Sequence, residues 1–240
     1  MTEVDLNHGI RKVLDISNSL DIGLNYGIRS SLNVSDELKK LCKRTKIYRE
    51  IYDRISTYKE FNLMLMDESC FQFSESRNNL KEQELRYAFY PNPYEYIEYK
   101  KHVEAVRQLL ESGDLDNETY QQLLSEFHFN HDIPVIRYDY SPSQYRKNDH
   151  PASHFHIGFH SGNRWPISKV LTPMTFFLKV ISMYYPHIWQ QKFNNFGEET
   201  LNDLFSLHKN ESFNVDSKYL QMEDYKRLII SYFKDFLQLT

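Results

Sequence analysis

The hydrophobic period of this chain switches back and forth between two values, and that switching restricts its fold more than any other feature. Leu6, Ile10, Val13, Leu14 and Ser17 fall at three-four spacing, the period of a helix with one buried stripe. A second helix is predicted from Ser35, an N-cap followed by the acidic first-turn residues Asp36 and Glu37, running on through Ile47, Ile51 and Ile55. From about residue 61 the pattern alternates. Phe61 to Met66 and Cys70 to Ser74 flank Asp67-Glu68-Ser69 and read as a hairpin. Leu85, Tyr87 and Phe89 alternate with Glu84, Arg86 and Ala88 until Pro91-Asn92-Pro93 stops the strand. Helical spacing returns over 94–111 and ends at Gly113, and a short helix follows from Asp116 or Asn117. Alternation resumes at Val135 to Tyr140, Ser153 to His160 and Arg164 to Ser168. Beyond the cap-like Thr172-Pro173 the chain reads as helical to its end, with later helices over 198–208 and 221–238.

Helices, three strands, helices, three strands and helices predict an α+β fold. Its antiparallel sheet would hold about five to six strands, with helices packed mainly on one face and helical N- and C-terminal regions. The 240 residues suit a single domain, 1–240, the alternative being a sub-lobe division near residue 93. Glycine numbers only 7, with no Gly-x-Gly-x-x-Gly, no phosphate-binding loop and no Gly-x-Ser-x-Gly, which excludes dinucleotide, P-loop and nucleophile-elbow chemistry. The 2 cysteines form no Cys-x-x-Cys, and the N-terminus carries no secretory signal. A cytoplasmic protein without membrane association is expected. The net charge of −4 provides no global attraction for nucleic acid, so any such contact must be local. The run Lys39-Lys40-Leu41-Cys42-Lys43-Arg44-Thr45-Lys46 is the best basic patch; it reads as a solvated helix face or as a phosphate contact.

Four of the 10 histidines lie between His150 and His160. With period two, Phe155, Ile157 and Phe159 face a core, while His154, His156, Gly158 and His160 face the other way. In the preceding strand Arg137 and Asp139 oppose Ile136, Tyr138 and Tyr140. If the two strands pair, Arg137, Asp139, His154 and His156 share one polar face, which Glu84 and Arg86 extend and Arg164 overhangs. Three chemistries suit that set. His154, His156 and Asp139 form a two-His, one-carboxylate set for a divalent metal. The imidazoles alone serve as general acid and base, with Arg137 and Arg164 holding a phosphate. Exposed aromatics such as Tyr138 or Tyr145 stack bases. The competing reading is structural: hydrogen-bonded histidines, Asp139 in a salt bridge with Arg137 or Arg146, and Trp165 buried at a corner.

The segment Arg137-Tyr138-Asp139, His150-Pro151, Ser153-His154-Phe155-His156-Ile157-Gly158, Arg164-Trp165-Pro166-Ile167 and Leu171-Thr172-Pro173 resembles the signature of the bacterial domain of unknown function 2290 family. That resemblance implies no activity. The order of the same motifs is more loosely similar to small bacterial toxin-like proteins of ribonuclease type. It implies nucleic-acid chemistry in an antiviral defence or toxin–antitoxin setting. The leading expectation is therefore a phosphodiester-cleaving, ribonuclease-like site on the His154-x-His156 strand, acting on RNA. The alternatives are a non-enzymatic interaction subunit with a protein partner in a defence complex, and a metal-dependent hydrolase of a small molecule.

Overall fold

The computed structural model describes residues 3–126, 134–147, 149–159, 162–186, 188 and 212–219. The helices expected over 198–208 and 221–238 lie outside the described residues, as does His160. Six α-helices and nine strands are described: α1 (Leu6–Ser19), β1 (Gly23–Tyr26), α2 (Asp36–Arg44), α3 (Tyr48–Thr57), β2 (Leu63–Leu65), β3 (Cys70–Arg77), β4 (Gln83–Tyr90), α4 (Pro93–Ser112), α5 (Asn117–Glu126), β5 (Ile136–Tyr140), β6 (Ser153–Ile157), β7 (Trp165–Pro166), β8 (Lys169–Val170), α6 (Pro173–Tyr184) and β9 (Phe213–Asn214). Strands β1 to β7 form one antiparallel sheet in chain order, and β8 and β9 form a separate pair. Strands β4 and β5, on either side of residue 93, are direct neighbours. Among the described residues no helix is long and apolar enough to cross a membrane.

The apolar positions of the alternating segments line one face. Phe71, Phe73, Tyr87, Phe89, Tyr138 and Phe155 pack there against Ile10 and Val13 of α1 and against Phe176, Phe177 and Ile181 of α6. Each such side chain, fully removed from water, contributes about 2 kcal/mol. Gly9 permits the close approach of α1 to α6: a Cβ there would lie 2.6 Å from Cδ of Pro173. The buried hydroxyls of Tyr87 and Tyr138 are satisfied. Tyr87 donates to the Leu171 carbonyl (3.1 Å), Tyr138 and Ser153 share a bond of 3.0 Å, and the Leu171 N–H donates to the Tyr138 oxygen (3.1 Å). These bonds fasten β4, β5 and β6 to the chain entering α6, whose N-cap is Thr172.

On the opposite face, among the described residues, helices α2 and α3 cover one end. Leu38 of α2 and Ile51 and Ile55 of α3 join Phe61, Met64 and Cys70 in a second apolar cluster, with Leu41 and Tyr90 against it. Arg86, Arg137, Asp139, His154 and His156 stand farther across that same face.

Four sequence expectations change. The predicted second helix is broken at Thr45, which is extended (ψ 146°) and carries no helical hydrogen bond onward; Ile47 is left 54% exposed as the entry to α3. Strand β1 escaped notice because its Gly-Leu-Asn-Tyr has no apolar alternation; it pairs with β2 through an irregular register. Strand β6 ends at Ile157 and not at His160, because Gly158 takes φ +90° and turns the chain out of the sheet. Only Trp165 and Pro166 of the predicted strand Arg164 to Ser168 are in the large sheet, and Trp165 is 37% exposed rather than buried.

Candidate functional site

Register brings the polar residues together. His154 lies directly across from Asp139, and His156 from Arg137; on the other side of β5, Arg86 lies across from Asp139. Residues opposite one another in an antiparallel pair project to the same face about 5 Å apart, so three strands converge on one point.

That point is a carboxylate between guanidiniums and imidazoles. Arg86 Nε donates to Asp139 Oδ1 at 3.1 Å, and Arg137 Nε donates to Oδ2 at 3.0 Å. His156 Nε2 stands 3.4 Å from the same Oδ2. His154 Nε2 and His156 Nε2 are 3.0 Å apart. The far nitrogen of His154, Nδ1, lies 2.8 Å from the Pro151 carbonyl oxygen. A carbonyl only accepts, so Nδ1 carries the proton and a neutral His154 directs an Nε2 lone pair at His156. His156 Nδ1 is buried without a hydrogen-bond partner among the described residues. His150 stacks edge-on against His154 at 4.9 Å between ring centroids.

Burial divides the group in two. His154 is fully buried, with His156 and Asp139 nearly so, whereas the side chains of Arg86 and Arg137 are 62% and 40% exposed. Burial opposes ionisation of Asp139, but the hydrogen bond from His156 and the charges of Arg137 and Arg86 outweigh it and hold the carboxyl far below its usual range. Burial is the main cause that pushes His154 down to about 4. The Asp139 charge works against that shift, and the neighbouring imidazoles reinforce it. At neutral pH the cluster therefore combines an ionised carboxylate and a neutral imidazole, within reach of two solvent-facing cations.

Asp139, His154 and His156 each offer one ligand atom, and the three atoms lie within 4.8 Å of one another. Two imidazoles and a carboxylate form a donor set of a kind that divalent transition metals accept. The His154 hydrogen bond to a backbone carbonyl is the outer-shell contact that metal-bound histidines usually make.

The arrangement differs from the expected one at its edges. Arg164 is exposed at the entry to β7 and presses electrostatically on His150; the guanidinium that shares Asp139 with Arg137 is that of Arg86. Arg146 pairs with Asp149 (3.6 Å) and not with Asp139. Tyr138 is fully buried in the apolar core and Tyr145 packs against that core, so neither is an exposed platform for bases. Glu84 is turned away to Ser141 and Ser143. Arg86 was legible as an extension of the polar face. Its place in the cluster depends on which residue of β4 lies opposite Asp139, and nothing local in the sequence shows that.

A protein-family model matches the chain over residues 25–229, a span that contains every strand of the large sheet but the first residues of β1, and the whole of the His–Asp cluster. No curated protein and no solved structure matches it.

Proposed function

The chain belongs to the matched family, described as an uncharacterized conserved protein (domain of unknown function 2290), and on that premise we propose that it cleaves phosphodiester bonds in RNA at the His154–His156–Asp139 cluster. The observation that carries this reading is the pair of facing Nε2 atoms 3.0 Å apart beside an ionised carboxylate, flanked by the exposed guanidiniums of Arg86 and Arg137. The cluster is the reactive centre. The guanidiniums hold the non-bridging phosphate oxygens, for which a planar fork of N–H donors is well shaped. Arg164, at the rim near His150, engages a neighbouring phosphate.

The basic run of α2 supports an extended polyanion over a small substrate. Leu38 and Leu41 anchor α2 on the same sheet face, and Cys42, between them and the charged residues Lys43 and Arg44, lies within electrostatic reach of Arg137 and Arg86. Exposed cations of α2 therefore stand on the sheet face that carries the cluster, in a protein whose total charge is negative. Such an activity belongs to a cytoplasmic defence or toxin–antitoxin setting.

The test is cleavage of single-stranded RNA by the full chain. His156→Ala should abolish it while the circular-dichroism spectrum stays native. Retained cleavage in a folded His154→Ala/His156→Ala double variant rejects the proposal. One observation favours a second reading, an interaction subunit of a defence complex: the imidazoles are 0% and 6% exposed, so a substrate reaches them only if neighbouring groups move. Isolation of a stoichiometric partner complex that Arg137→Ala disrupts, with no RNA cleavage under any condition, would select it.

A further inference from the structure

We propose that Asp139, His154 and His156 bind one divalent transition-metal ion of the zinc, cobalt or iron(II) type through the His154 Nε2, the His156 Nε2 and a carboxylate oxygen of Asp139. The inference deepens the phosphodiester reading by naming its cofactor, although the binding itself does not depend on that reading.

Three donor atoms converge on one buried gap with a single proton between them. The proton on His154 Nδ1 is fixed by the Pro151 carbonyl, so His154 Nε2 presents a lone pair. His156 Nε2 and Asp139 Oδ2 face the same gap, 3.0 Å and 3.4 Å from their nearest members of the set. A single proton on His156 Nε2 points along one direction and bonds one of its two neighbours well. When that proton bonds Asp139, the buried His154 Nε2 lone pair is left without a donor, whereas Asp139 Oδ2 keeps its bond from Arg137 in either case. One cation at the centre satisfies all three donors together.

The geometry is close to what an ion requires. Metal–nitrogen bonds of about 2.1 Å in tetrahedral arrangement put bound nitrogens about 3.4 Å apart, so the imidazoles need to separate by only a few tenths of an ångström. Imidazole nitrogens select zinc, iron, cobalt, nickel or copper over magnesium and calcium, which take oxygen shells. The outer contacts are in place as well: Pro151 O orients His154, and Arg86 and Arg137 each hold one oxygen of Asp139. Both guanidiniums repel a cation. Both are exposed enough for water and salt to screen that repulsion, and both are already paired to the carboxylate. The excess positive charge left by the ion is what an incoming phosphate neutralises. Three protein ligands leave a fourth position for water, which a bound metal acidifies into a nucleophile.

The experiment is titration of the untagged full chain with Zn2+ alone by calorimetry and with Co2+ alone by visible absorption, both on a Cys42→Ser background to remove the exposed thiol. The expected result is one ion per chain, a tetrahedral or five-coordinate cobalt spectrum, and affinity at least about tenfold weaker in His154→Gln, His156→Gln and Asp139→Asn. Long-range 1H–15N spectra of the unmutated imidazoles supply a readout that does not depend on a variant folding. Zn2+ should move the Nε2 resonances of two histidines while the hydrogen-bonded Nδ1 of one of them stays protonated. Absence of stoichiometric binding, or binding that leaves every histidine Nε2 unmoved, overturns the proposal. Metal binding without RNA cleavage would leave this site standing and reject the phosphodiester reading; RNA cleavage undiminished in a chelated, metal-free chain would keep that reading and overturn the ion as its cofactor.

Discussion

Acidifying the metal-free protein should destabilise it through His154, and the size of the effect follows from burial. The side chain is fully buried and its pKa is depressed from 6.5 to about 4. Between those values the unfolded chain binds a proton at this position and the folded chain does not, so stability falls as pH falls. Above 6.5 both states are neutral there and the residue adds no pH dependence. A displacement of about 2.5 pK units at 1.36 kcal/mol each sets an upper bound of about 3 kcal/mol, reached near pH 4. Asp139 acts in a different window. Its depressed carboxyl contributes stability that is complete above its ordinary 3.8 and is lost only at more acidic pH. Urea unfolding in the presence of a chelator, at pH 7.0, 5.5 and 4.5, should therefore show the wild-type stability falling more steeply than that of His154→Gln. The two curves should differ in slope between pH 6.5 and 4, whatever their offset. Parallel curves would mean that His154 is protonated at little cost in the folded protein, and the account of a neutral imidazole aimed at His156 would fail with them.

Other substitutions test other parts of the structure. Asp139→Ala should cost about 2 kcal/mol in urea unfolding at pH 7, less than the roughly 3–5 kcal/mol of a fully buried broken pair because both arginines remain solvated; a neutral effect would show that the ion pairs contribute nothing. Tyr138→Phe should cost about 1–2 kcal/mol, since it removes the bond to Ser153 and leaves the buried Leu171 N–H without its acceptor. Gly9→Ala should lower stability by about 1–3 kcal/mol through the clash with Pro173, measured as a lower thermal midpoint; an unchanged midpoint would show that α1 and α6 can separate freely. Cys42 should be alkylated more slowly with single-stranded RNA bound than in the free protein, because it is exposed on α2 and within electrostatic reach of Arg137 and Arg86. Equal alkylation rates would place the RNA elsewhere.

The alternation of Phe71-Phe73, Leu85-Tyr87-Phe89, Ile136-Tyr138-Tyr140 and Phe155-Ile157 determined by itself that the middle of this chain forms strands with one buried face. A period of two assigns each side chain to a side without reference to any partner strand. The caps at Ser35 and Thr172 likewise needed only local hydrogen bonds to declare helix starts. The same alternation put His154 and His156 on one side and Asp139 with Arg137 on one side. Whether those two sides coincide was decided only in three dimensions, by which strands are neighbours and in what register. A shift of one residue in β5 against β6 would have sent Asp139 to the apolar core. Tertiary contact also decided that Arg86 and not Arg146 shares the carboxylate with Arg137, that α2 stops at Thr45 so that α3 can pack separately, and that the imidazoles are buried while the guanidiniums meet water. Those outcomes depend on residues distant in the chain, such as Arg86 and Asp139, whose encounter no local pattern of side chains encodes.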